Sequence, residues 1–117
     1  MLKAKIENIM HENDIVFTVI SCLKTNNIIE IGDKLQLHYA GLVDTLFGNI
    51  ERIQELNNSL KFQTLPQTWN QGDLKCIVCK PTEDIIVGLF YHEYRNAIDS
   101  YHFGKQLNII ISNLNYN

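Results

Sequence analysis

The stretch DKLQLHYAGLVDTLFGNIERIQELN, residues 33–57, governs the reading of the whole chain. Leu35, Tyr39, Leu42, Val43, Leu46, Phe47, Ile50, Ile53 and Leu56 recur in steps of three and four. That spacing predicts a helix carrying one wide apolar stripe. Asp33 is a suitable N-cap, because its carboxylate can accept amides that the first turn leaves free. Asn57 and Asn58 suit the other end. Such a helix is about 36 Å long, enough to cross a small sheet. Leu37 lies off the stripe and Phe47 sits near its margin. Either a second packing partner or Leu37 folding against the helix start accounts for this.

Upstream, Leu2, Ile6, Ile9 and Met10 predict a short amphipathic helix over 2–12. DIVFTVISCL (14–23) is rich in β-branched residues and reads as a buried strand. KTNN (24–27) is a turn, and IIEI (28–31) returns as a second strand. Downstream, the alternation of LKFQTLP (60–66) predicts a third strand, and QTWNQGD (67–73) a polar turn. LKCIVCK (74–80) and IIVGLFYH (85–92) predict strands joined by the tight turn PTED (81–84). From Glu93, helical spacing returns through Tyr94, Ala97, Ile98, Tyr101, Leu107, Ile111 and Leu114, with Gly104 a soft spot. The order α-β-β-α-β-β-β-α predicts an α+β fold. A five-stranded antiparallel sheet is layered with helices as a two- to three-layer sandwich. No linker or repeat divides it, so 1–117 reads as one domain.

Composition narrows the function. The chain has 117 residues, 45% hydrophobic and 20% charged, the balance of a globular domain rather than a disordered one. Its formal charge is −3 and its ten basic residues are scattered, so nucleic acid is not expected as the main partner. No apolar run approaches the ~20 residues that span a bilayer. The run from Ile15 to Ile20 starts too late and is too short for a secretory signal. Cys22, Cys76 and Cys79 are an odd set, which fits reduced thiols and a cytoplasmic chain.

Chemistry-bearing motifs are sparse. Cys76-x-x-Cys79 lacks the second ligand pair a structural zinc needs, and in a strand the two thiols face opposite sides. His11, His38, His92 and His102 have no metal-ligand spacing, and the glycines are isolated, with no phosphate loop. No nucleophile, base and oxyanion donors gather in one motif. The chain is therefore expected to be no enzyme, without catalytic, cofactor-binding or metal residues. Glu51, Arg52 and Glu55 read as a solvated helix face. Tyr91, Tyr94 and Tyr101 read as packing groups with wet hydroxyls. Trp69, the single tryptophan, either contacts a partner or folds back over the sheet edge.

The starting helix, the FTVISCLKTNNIIEI hairpin, the long central helix, the GDLKCIVCKPTEDIIVGLF hairpin and the closing helix together resemble the roadblock family. These are the small domains related to dynein light chain roadblock. One departure is KTNN, where family members often carry an Asp-Gly-type turn. The resemblance implies a non-enzymatic module that dimerises through the central helix and third strand. Sheets then join edge to edge, and the pair serves as a platform for a Ras-like small GTPase, a motor subunit or a roadblock relative. On this chain the expected interface is Leu37, Leu42, Leu46, Ile50, Leu60, Phe62 and Thr64, with Trp69 as a partner contact. Arg52 and Arg95 are the only arginines open to a finger-like role. The alternative is a small acidic dimeric secretion chaperone that wraps an extended effector segment. Helix and strand order separates the two.

Overall fold

A computed structural model describes residues 1–116. Strands β1 (Phe17–Cys22), β2 (Asn27–Gly32), β3 (Gln67–Gln71), β4 (Leu74–Thr82) and β5 (Ile85–His92) form one sheet in the order β2-β1-β5-β4-β3. All its pairings are antiparallel. The apolar fifth strand takes the centre. Side-chain alternation divides the interior into two cores. Phe17, Val19, Cys76, Val78, Ile86 and Phe90 pack with helices α2 (Gly41–Phe47) and α3 (Ile50–Ser59). Ile20, Ile77, Cys79, Val87, Leu89 and Tyr91 pack with α1 (Leu2–Asn13) and α4 (Ala97–Ser112). The result is three layers, helix on sheet on helix, and it bears out the α+β expectation. Cys76 and Cys79 do lie in opposite cores.

The central stripe is present, but on two short helices and not one rod. Asp33 caps a single 3₁₀ turn, Lys34–Gln36, by accepting the Leu35 N–H at 2.9 Å. Tyr39 then takes a left-handed φ of 58° before α2 begins. Asn49 is extended and accepts the Arg52 N–H at 2.9 Å, which opens α3 afresh. Asparagine stabilises a cap better than a helix interior, and the preceding Gly48 weakens any continuous helix. Leu42, Val43, Leu46, Phe47, Ile53 and Leu56 are nonetheless all buried. The edge of the Phe47 ring comes so close to β5 that a Cβ on Gly88 would run into it.

The third strand is displaced. Residues 60–66 are not a strand: Leu60 is buried beneath the end of α3, and the Gln63 N–H closes a turn on the Leu60 carbonyl at 3.1 Å. Phe62 has φ 63° and its side chain is wholly exposed. Leu65 packs on the core, and the Leu65–Pro66 peptide is cis. The pairing segment is instead the polar QTWNQ, with Trp69 opposite Cys76. Gln71 pairs with Leu74 across the two-residue loop Gly72-Asp73, and Gly72 supplies φ 59°. Glycine is suited to that left-handed position in a tight hairpin. The last helix begins at Ala97, later than expected, because Asn96 caps it by accepting the Asp99 N–H. No helix among the described residues is long and apolar enough to cross a membrane.

Candidate functional site: the β3 edge and the cluster at its hairpin

Strand β3 hydrogen-bonds to β4 alone, so its outer side meets no other strand among the described residues. The five residues Gln67, Thr68, Trp69, Asn70 and Gln71 include no charge and no proline. Those are the usual devices that keep a sheet edge from pairing with another chain. Trp69 is partly buried and packs on the core beneath α2 and α3, so it folds back over the edge strand. Thr68 and Asn70 project from the other side and are exposed.

The expected interface residues part into two groups. Leu37, Leu42, Leu46 and Leu60 are buried in the chain's own core, Leu37 at 8% exposure. Leu37 therefore folds against its own sheet. Ile50, Phe62 and Thr64 are exposed, Ile50 at the first turn of α3 and the other two in the loop that leads to β3. Leu35, read as part of the stripe, is also exposed.

At the turn of the β3–β4 hairpin the fold gathers three side chains that spacing gave no reason to join. His38 precedes α2, Asp73 lies in the hairpin loop and His92 ends β5. The His38 N–H donates to His92 Nε2 at 3.1 Å. His38 Nδ1 lies 2.9 Å and 3.2 Å from the two Asp73 carboxylate oxygens. The two imidazole rings lie with centroids 4.0 Å apart and planes tilted by 35°. Register explains part of this: Leu74 pairs with His92, and the Glu93 N–H donates to the Asp73 carbonyl at 2.8 Å.

The remaining candidates divide into groups the fold engages and groups it leaves exposed. The Arg95 guanidinium sits 3.6 Å above the Phe103 ring centroid and bonds Glu93 at 2.8 Å, so it is no free finger. Burial pushes the Glu93 carboxyl up, but hydrogen bonds from Ser100 and Arg95 and the guanidinium charge outweigh it, leaving it below the ordinary value. Arg52 is exposed on α3. Burial raises the Cys76 thiol strongly and pushes Cys79 up to about 12, so neither is a ready nucleophile. Tyr91 is buried, whereas Tyr94 and Tyr101 stand mostly in solvent and do not pack as expected.

No protein-family model matches the chain, and no curated protein matches it. Among solved structures, Myxococcus xanthus MglB is similar over 96% of this chain and 95% of its own, with a TM-score of 0.55 at 10% identity. The fold is roadblock-like. That likeness takes in nearly all of this chain's sheet and of the helices on its two faces. The departures from a single central rod and the KTNN turn leave the roadblock-like architecture intact.

Proposed function

We propose that this chain is a non-catalytic interaction module that pairs with a second copy, or a roadblock-like relative, through the β3 edge. The joined pair then acts as a scaffold or regulator of a Ras-like small GTPase or of a larger assembly. The observation that carries this reading is the uncharged, proline-free outer edge of β3. A strand in that state offers main-chain donors and acceptors to a partner strand. The exposed Phe62 and Thr64 lie in the loop that leads into it and the half-covered Trp69 sits on it, whereas Ile50 lies beside Ser21, Cys22 and Ile28 at the β1–β2 side of the sheet. The roadblock-like fold supports the same reading, because edge-to-edge pairing is what the family resemblance implies. A secretion chaperone of the small acidic kind usually carries a different helix and strand order, and no feature here favours it.

Light scattering on the purified chain tests the pairing. The expected mass at micromolar concentration is twice the 13.5 kDa of the chain. A stable monomer overturns the proposal. The GTPase arm is tested by immobilising wild-type chain beside a monomeric β3 variant. The expected outcome is a GTP-binding protein that is held by the first only and released on exchange to GDP.

A further inference from the structure

We propose that His38, Asp73 and His92 form a binding site for a divalent transition-metal ion of the zinc type. Two imidazoles and a carboxylate are a donor set that zinc and its neighbours accept readily. Each residue offers one ligand atom, and these atoms lie within 4.8 Å of one another. Around a tetrahedral ion with bonds of about 2.1 Å, ligand atoms stand roughly 3.4 Å apart. Rotation of three solvent-reaching side chains closes that difference; His38 and Asp73 are 63% and 44% exposed.

The hydrogen-bond pattern suits an ion. His92 Nε2 accepts a backbone N–H, so it presents a lone pair and carries its proton on Nδ1. His38 Nδ1 faces both oxygens of Asp73. The ion takes the place of the direct contact between those two groups, and His92 Nε2 turns from the amide to complete three protein ligands. Metal ligands must be deprotonated, and the lone pair on His92 Nε2 is released to the ion when it leaves the His38 amide.

The backbone holds the three together from separate elements. Tyr39, next to His38, and Gly72, next to Asp73, both adopt left-handed φ, 58° and 59°. A Cβ on Gly72 would collide with the Tyr39 ring, so the loop before α2 sits directly on the hairpin loop. A non-glycine residue keeps such a conformation only where its surroundings enforce it. An ion here links the segment before α2 to the β3–β4 hairpin and leaves a coordination position open to water. This inference stands apart from the pairing proposed above.

Titration of the full-length chain with zinc chloride, followed by calorimetry, tests the site. One equivalent is expected to bind. H38Q, D73N and H92Q are each expected to weaken it about tenfold or more, the scale on which lost metal-site groups are felt. H11Q, H102Q and C22S are expected to leave it unchanged. Absence of saturable binding overturns the site, as does equal weakening by the controls or survival of binding in H38Q/H92Q. Because a variant can lose its fold, imidazole resonances of the unmutated chain provide a second readout. Zinc is expected to shift those of His38 and His92 and not those of His11 and His102; the reverse pattern overturns the proposal.

Discussion

At one border of the sheet, β2 carries Glu30, which pairs with Lys34 at 3.7 Å, and α1 packs against the strand. At the other border, β3 carries only Gln, Thr, Trp and Asn side chains. By apolar content β2 is the stickier edge, since Ile28 and Ile29 are both exposed there. By backbone access and charge the order reverses. An added strand must desolvate or displace a charged side chain at β2, and nothing comparable stands at β3. The contrast teaches that an edge is open or closed through the groups that border its ladder, not through its count of hydrophobic residues.

The largest effect separates folding from pairing. Leu46→Ala empties a buried position under α2 and is expected to cost about 2–5 kcal/mol in a denaturant melt. It acts on the core, so any loss of dimer follows from loss of fold. The next test addresses the edges directly. T68K/N70K places like charges along β3 and is expected to weaken self-association tenfold or more, about 1.4 kcal/mol, with the melt little changed. Ile29→Lys on β2 is expected to leave sedimentation behaviour as it was. If the two edges respond alike, the contrast between them fails.

Legibility in the sequence followed burial. Strands β1, β4 and β5 are covered on both faces, so their β-branched, apolar composition reads directly. β3 is covered on one face and by one large side chain, Trp69, so QTWNQ passes for a turn. LKFQTLP mimics a strand because Leu60 and Phe62 alternate with polar residues, although Leu60 caps α3 and reaches the core while Phe62 stands in solvent. The helix break at Gly48 and Asn49 hides because the apolar spacing continues across it. The cluster of His38, Asp73 and His92 spans 35 and 54 residues of chain. Folding predicted strands 74–80 and 85–92 about PTED brings residue 73 opposite residue 92 on paper, one step from the observed pairing of Leu74 with His92 because of the irregularity between Cys79 and Thr82, so Asp73 and His92 could have been paired. Placing His38 beside them needs the broken helix, which local spacing does not encode.

Smaller effects sharpen the contrast at β3. Phe62→Glu alters a fully exposed side chain, so its stability should stay within about 0.5 kcal/mol of wild type. A shift of the monomer–dimer balance toward monomer is nevertheless expected by light scattering, since the residue borders the proposed junction. Unchanged mass removes Phe62 from that junction.

The thiols report on the same strand without perturbing it. Cys76 lies opposite Trp69 and is wholly buried, and Cys79 is buried in the other core. Burial keeps both protonated far above neutral pH, whereas the hydroxyl and amide of Thr25 hold the Cys22 thiol below its ordinary value. Thiolate is the reacting form, so a folded chain at pH 8 should incorporate one equivalent of iodoacetamide, at Cys22. Labelling at Cys76 would mean that β3 detaches from β4 in solution. A strand that frays cannot hold its ladder rigid for a partner, so that result would weaken the case for β3 as the pairing edge more than any change in mass.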